Sequence, residues 1–347
     1  MRDRHQPKEI DMIAPSFYLK DWTPEQCRVL EKAVLVASHR LHETGLFSDE
    51  ALADLIDGQP DDYLTIAAMG SDESKFEWMM GERDGASGEE VVEAVRCGKL
   101  WVSLVALTRF HDKYHRLVDA VYDELESTVP GFKARHRSAN LLLSSPQAMV
   151  YYHVDLPVNM LWHLRGKKRV WVYPCDERFV SQWNLERLSA GEMSEDMPYE
   201  SWFDDYALSF RVQPGQMITW PQNSPHMVKN LDGLNVSLST EHRHPVAKRR
   251  IMVYKANYHL RRRYGMKKLS GDPRGLTAHL KQNGVRAVSL LNRLIRRSED
   301  ETFGFRQRFV IDPQAELGYR LCEGEVAGDF SEEQSVVHDR LEAVGAS

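Results

Sequence analysis

Hydrophobic and polar positions recur with a helical period in the first third of the chain. After Thr23-Pro24, where threonine can cap a helix and proline suits its first position, apolar residues at helical spacing predict a helix that runs to Gly45. Ser87-Gly88-Glu89-Glu90 is typical of a second helix start, and residues 111–128 predict a third helix. Residues 99–107 form an apolar run that predicts one buried strand within this region.

From about Ser138 the pattern changes to short apolar runs separated by turn residues. Seven runs are typical of strands: residues 140–144, 149–153, 158–164, 169–173, 208–212, 217–220 and 234–240. Many short strands without helices between them indicate a sandwich or a barrel. The segment 176–206 is a longer insertion that is rich in acidic and aromatic residues.

The pattern becomes helical again after Pro245, and it also becomes strongly basic. Residues 246–297 carry fifteen Lys or Arg residues and a single acid, Asp272. This charge either belongs to a solvated helix face or contacts an acidic protein partner or nucleic acid. We therefore predict four regions: a mostly helical region that contributes a strand to the core (1–135), a mainly β core with the insertion (136–245), a basic helical region (246–330) and a disordered tail (331–347).

Composition excludes several classes of protein. The net charge of -6 and the 28% of charged residues are ordinary and indicate no particular partner. No run of about 18 apolar residues is present, and the first residues lack the apolar segment of a signal peptide, so we expect a cytoplasmic protein without a membrane span. The four cysteines are far apart and form no CxxC pair, which argues against a disulfide framework and against a thiolate zinc site.

Three polar residues within the β region have the chemistry of a metal site. His153 and Asp155 stand two positions apart, so on a strand they point to the same face, and His226 follows a proline-glycine turn and an apolar run. Their neighbours are apolar, so these polar groups need partners. Two histidines and one carboxylate on one side of a metal leave the other side open, as non-haem iron(II) oxygenases require.

The sequence around these residues resembles a known family. The runs HVDLPVNMLWHLRGKKRVWVYP and QPGQMITWPQNSPHMVKNLDGLNVSLSTEH are similar to the core of the JmjC and cupin-like 2-oxoglutarate oxygenases, which include protein asparaginyl hydroxylases. The resemblance covers residues 139–243. It implies a double-stranded β-helix of the jelly-roll or cupin type with N-terminal and C-terminal helices. It also implies a hydroxylase whose metal and catalytic residues are His153, Asp155 and His226, which hold Fe(II), with 2-oxoglutarate and O2 as co-substrates.

The resemblance also assigns residues to the co-substrate. Lys168 matches the lysine that pairs with the distal carboxylate of 2-oxoglutarate, with Lys167 and Arg169 as competitors for that role. Asn159 matches a position that helps to bind the co-substrate in some members. Trp101 stands where relatives often place a tyrosine hydroxyl.

An indole donates a hydrogen bond but accepts none. It therefore stays open which hydroxyl group binds the co-substrate carboxylate together with Lys168, and the candidates are Tyr151, Ser144 and Ser145. Val150 replaces a threonine found in some members, which removes one more hydroxyl. Ser237, Ser239 and Glu241 either line the pocket or face solvent.

Two further questions stay open at this point. The substrate is either a protein side chain or a small molecule, and the alternative to an enzyme is a non-catalytic cupin-type binding or regulatory protein that keeps the metal. Relatives use C-terminal helices to dimerise, and apolar residues such as Val288, Leu291 and Leu294 would suit a homodimer through these helices.

Overall fold

Strands dominate the fold in a computed structural model that describes residues 18–70, 77–193, 197–295 and 307–325. The predicted tail 331–347 lies outside the described residues. The strands are β1 (Leu19–Lys20), β2 (Leu35–His39), β3 (Leu64–Met69), β4 (Trp78–Glu82), β5 (Leu100–Leu104), β6 (Arg135–Ser144), β7 (Met149–His153), β8 (Val158–Val172), β9 (Leu208–Val212), β10 (Gln216–Thr219), β11 (His226–Arg243), β12 (Phe309–Ile311) and β13 (Tyr319–Leu321).

These strands join into one hydrogen-bonded network. Its order is β1-β2-β10-β8-β11-β6-β5-β3-β4-β12-β13, while β7 pairs with β11 and β9 pairs with β8. All the pairs are antiparallel except β12 with β4. The two long strands, β8 and β11, have the most partners: β8 pairs with β9, β10 and β11, and β11 pairs with β6, β7 and β8.

Helices occur before, within and after the β region of the sequence. They are α1 (Pro24–Val29), α2 (Asp49–Gly58), α3 (Gly88–Cys97), α4 (Leu107–Phe110), α5 (Asp112–Thr128), α6 (Gln182–Ala190), α7 (Pro245–Tyr264) and α8 (Gly275–Ile295). Capping boxes begin α1 at Thr23 and α3 at Ser87, as the sequence predicts. The mainly β core with N-terminal and C-terminal helices is thus confirmed at this coarse level.

The N-terminal region differs from the expectation in its strand content. The described residues between 18 and 134 contribute five strands to the sheet, not one. The helix predicted from Thr23 to Gly45 is wrong beyond Val29, because Leu35–His39 instead pairs with β10 from far along the chain. Tertiary pairing overrides local helical spacing here. The four region boundaries themselves stay a prediction.

Gly166 allows two predicted strands to form a single one. The sequence predicts separate strands at 158–164 and 169–173, whereas β8 runs through both. Its pairing with β11 shifts register near Gly166. Gly166 has a φ of 77°, and a Cβ there would lie 2.7 Å from the side chain of Asn235. Only glycine fits this turn of the strand without strain.

The remaining expectations concern the membrane, the cysteines and dimerisation. Among the helices that the structure describes, none combines the length and the apolar character needed to cross a bilayer. All four cysteines are free thiols. Helix α8 exposes Leu276, Leu280, Val288, Leu290 and Leu291, a surface that the predicted homodimer would cover. The homodimer and the cytoplasmic location stay predictions.

Candidate metal and co-substrate site

Strand pairing brings the three predicted ligands together. His153 ends β7 and stands opposite His226, which begins β11, while Asp155 follows β7 by two residues. One ligand atom from each of the three lies within 4.8 Å of the others. Asp155 Oδ1 is 3.8 Å from His153 Nε2, and Asp155 Oδ2 is 3.3 Å from His226 Nε2. The backbone register therefore sets the spacing of a metal site.

Backbone carbonyls fix the orientation of both imidazoles. His153 Nδ1 lies 2.7 Å from the carbonyl of Tyr151, and His226 Nδ1 lies 3.1 Å from the carbonyl of Ser224. A carbonyl can only accept, so each Nδ1 carries the proton and each Nε2 keeps its lone pair for a metal. Burial, followed by the proximity of His153, lowers the pKa of His226 well below its usual value. The ring is therefore neutral, as a ligand must be.

The carboxylate of Asp155 completes the donor set. Burial raises its pKa, while His153 and a hydrogen bond from Asn159 act in the opposite direction. Asp155 Oδ2 is buried and has no hydrogen-bond partner among the described residues. A buried carboxylate oxygen without a partner is costly, and a cation coordinated by the three side chains would provide that partner. The donor set of two imidazoles and one carboxylate fits a divalent transition metal.

A single large cavity connects the triad to the other predicted residues. Its volume is about 970 Å³, and its lining includes all three triad residues, Asn159 and Lys168. Volumes of roughly 300–1,000 Å³ are typical of small-molecule sites. The open side of the triad therefore faces a space large enough for a co-substrate and part of a substrate.

Lys168 is the buried cation of this cavity. It lies on β8 opposite Asn230 of β11, and its side chain is 4% exposed. Burial lowers its pKa to about 7. Its ammonium has no acidic partner among the described residues, whereas the neighbouring Lys167 is exposed and pairs with Asp232 at 3.4 Å. Of the two lysines, only Lys168 lines the cavity, where an anion would compensate its burial.

Two polar residues from other strands lie with Lys168 in the lining. Asn230 donates through Nδ2 to Ser144 Oγ at 2.8 Å and to the carbonyl of Ser145 at 2.8 Å. Ser144 therefore accepts from Asn230 and keeps its own hydroxyl proton to donate. The hydroxyl of Ser145 already makes two hydrogen bonds, because it donates to the carbonyl of Val95 and accepts from the amide of Leu100. Of these two serines, Ser144 is thus the one available to a co-substrate.

The other predicted co-substrate residues divide between the cavity and the surrounding core. Trp101 lines the cavity and packs edge-on against Trp78, with ring centroids 5.0 Å apart. Tyr151 does not line it: its hydroxyl donates to the carbonyl of Glu77 at 3.4 Å, and its ring belongs to a separate apolar cluster. Tyr151 therefore lies outside the lining, and the expectation that it binds the co-substrate stays a prediction.

Strand β11 supplies residues that the sequence left ambiguous. Ser239 and Glu241 line the cavity, and Ser239 donates to Asn159 Oδ1 at 3.0 Å. Burial and then Asp155 raise the pKa of Glu241 to about 7. Ser237 is instead held against His163 at 3.0 Å, outside the lining.

Sequence reasoning missed Asn230 and Trp220. Asn230 stands between Lys229 and Leu231 in a mixed stretch of β11, so its sequence context gives no signal for a buried polar role. Trp220 packs on His226 with the ring centroids 4.1 Å apart, and it closes one side of the triad.

Comparisons with known proteins return solved structures at low identity. No protein-family model and no curated protein matches the chain. A structure of YcfD, a ribosomal oxygenase from Escherichia coli, in complex with cobalt and 2-oxoglutarate has 16% identity and a TM-score of 0.45, with 82% of this chain and 69% of that chain covered. Another E. coli YcfD structure has 15% identity and a TM-score of 0.46, with 82% and 70% covered. A YcfD complex with cobalt and succinic acid has 16% identity and a TM-score of 0.41, with 82% and 69% covered.

At this level of identity and TM-score, the case for function rests on the site itself. The chain is therefore defined by its own features: a mainly β core with flanking helices, and a two-histidine, one-carboxylate site that opens into a cavity.

Proposed function

We propose that the protein is an Fe(II)- and 2-oxoglutarate-dependent oxygenase, a hydroxylase whose core is a double-stranded β-helix. The observation that carries this proposal is the joint placement of the triad and Lys168 in one cavity. A metal site alone would suit many functions. Here the metal site shares a cavity with a buried lysine that pairs with no acidic residue of the described chain. This combination favours a function in which the protein also binds an anionic co-substrate.

Each residue of the site has a role in this proposal. His153, Asp155 and His226 hold the iron, which when bound supplies the redox chemistry that couples decarboxylation of 2-oxoglutarate to oxidation of a C–H bond. Lys168 takes up a proton and pairs with the distal carboxylate of the co-substrate. Ser144 donates its hydroxyl to the same carboxylate, and Asn230 fixes the orientation of Ser144.

The cavity walls position the substrate and limit water. Trp220 shields the His226 ring, and Asn159 links Asp155 to Ser239, so the carboxylate keeps one orientation. Such restraint keeps the reacting groups close to a productive geometry.

A second candidate is a non-catalytic binding protein that keeps the metal. One observation favours it: among the described residues of the lining there is no tyrosine and no threonine, so Ser144 and the other serines supply the only hydroxyls. The two candidates differ in turnover. The oxygenase releases succinate in the presence of O2, whereas the binding protein does not.

Anaerobic spectroscopy tests the proposal. Adding Fe(II) and then 2-oxoglutarate to the full chain should produce the weak visible charge-transfer band of a chelated keto acid. Asp155→Ala should abolish the band, because a three-residue site loses its carboxylate. Asp232→Ala removes an exposed carboxylate outside the cavity and is the matched control. Wild-type protein that binds Fe(II) stoichiometrically but gives no band contradicts the 2-oxoglutarate assignment.

A further inference from the structure

Four cations surround the open end of the cavity. Arg243 at the end of β11, Lys248 and Lys255 on α7 and Arg286 on α8 all belong to its lining. We call these four residues the cationic mouth. Each is half-buried or exposed, whereas Lys168 and His226 are buried. The cationic mouth therefore marks the place where the cavity meets solvent.

No carboxylate in the described parts of the chain pairs with these four side chains. The contrast is Arg137, another cation of the lining, which pairs with Asp119, Asp123 and Glu126. Three of the four interact with one another: burial and then the charges of Arg243 and Arg286 lower the pKa of the Lys248 ammonium. Like charges that repel in the free protein would be relieved by a bound anion.

The acids of the lining do not cancel this charge. Among the described lining residues these acids are Asp155, which belongs to the triad, and Glu241. Even when both carboxylates are charged, the four cations of the mouth outnumber them. The mouth therefore presents a net positive charge to any molecule that enters the cavity.

The spacing and the chemistry of the mouth favour an extended peptide. Lys248 and Lys255 are separated by seven positions on α7, which is about 10 Å along a helix. About three residues of extended chain span the same distance. Aliphatic groups of Ile251 and Met252 lie between them in the lining and can contact the side chains of a peptide.

Nucleic acid fits this surface less well. Single-stranded nucleic acids are bound by basic grooves that also carry aromatic side chains on which bases stack. The described aromatic residues of the lining lie elsewhere: Trp78 and Trp101 pack on each other, and Trp220 packs on His226. None of them belongs to α7 or α8.

We propose that the cationic mouth binds an acidic polypeptide segment, and that this segment delivers the side chain oxidised at the metal. The second part rests on the proposed oxygenase function. The first part is a statement about binding and can be tested without metal or 2-oxoglutarate.

Fluorescence anisotropy with a labelled decapeptide of alternating Glu and Ser tests the binding. The full chain should bind it about tenfold more tightly than the matching Gln and Ser decapeptide, and the difference should shrink as salt is raised. The double variant Lys248→Gln/Arg286→Gln should lose at least about tenfold in affinity for the acidic peptide. The control double variant Arg263→Gln/Lys268→Gln removes the same charges from exposed residues outside the lining and should retain wild-type affinity.

The outcomes separate this proposal from the proposed function. Equal affinity for the acidic and neutral peptides would overturn it, as would equal losses in the two double variants. Tighter binding of a single-stranded RNA decamer than of the acidic peptide, with the same loss in Lys248→Gln/Arg286→Gln, would assign the mouth to nucleic acid instead. Failure of the charge-transfer experiment would leave each of these readouts unchanged.

Discussion

The floor of the cavity, formed by the triad with Lys168 and Asn230, differs in construction from its cationic mouth. Strand register fixes the groups of the floor: His153 faces His226 across the β7–β11 pair, and Lys168 faces Asn230 across the β8–β11 pair. The mouth consists of long cationic side chains that project largely from helices and have no acidic partners among the described residues. The floor thus holds the groups that need fixed positions, whereas the mouth can adapt to a partner.

Replacing Lys168 tests the floor with the largest expected effect. Lys168→Met should weaken 2-oxoglutarate binding by about tenfold to a hundredfold, because a charge-assisted pair contributes about 1.5–3 kcal/mol. The same variant removes a buried cation that pairs with no carboxylate of the described residues, so the free energy of unfolding of the ligand-free protein should rise by about 1 kcal/mol or more. Titration of the charge-transfer band and chemical denaturation measure the two effects.

Lys167→Met is the matched control for this substitution. Lys167 is the adjacent exposed residue and pairs with Asp232, so both quantities should change little. A wild-type affinity in Lys168→Met would remove Lys168 from the co-substrate site.

The pH dependence of co-substrate binding gives the next largest effect. Burial lowers the pKa of Lys168 to about 7 in the free protein, and a bound carboxylate raises it again. Below pH 7 the ammonium is already charged, so affinity should be at its maximum and flat. Above pH 7 binding takes up a proton, so affinity should fall by up to about tenfold per pH unit.

Glu241→Gln separates this slope from the other group that titrates near pH 7 in the cavity. The slope should persist in Glu241→Gln and disappear in Lys168→Met. A slope that disappears in Glu241→Gln instead would assign the titration to the carboxyl group.

Removing one hydroxyl should have the smallest effect. Ser144→Ala deletes the proposed second donor to the co-substrate carboxylate and should weaken 2-oxoglutarate binding about fivefold, because a single hydrogen bond contributes about 1 kcal/mol. Ser145→Ala removes a serine that is committed to backbone groups, so it should lower stability without changing the affinity of the folded protein. Equal affinities of Ser144→Ala and wild type would contradict the role of Ser144.

The sequence predicts the floor better than the mouth for a physical reason. His153 and Asp155 are near neighbours in the chain, and a period of two places them on one face before any partner strand is known. The choice of Ser144 over Tyr151 depends on pairing among β5, β6 and β11, which joins distant segments. The cationic mouth depends on how α7 and α8 pack over the sheet. From the sequence it is only a run of basic residues without a location.

A crystal structure grown anaerobically with Mn(II) and 2-oxoglutarate tests the central claim most directly. The account predicts an anomalous scattering peak between His153 Nε2, His226 Nε2 and Asp155, with the keto acid on the open side of the metal and its distal carboxylate at Lys168 and Ser144. A metal bound elsewhere, or a keto acid held at the cationic mouth with Lys168 unpaired, would contradict it.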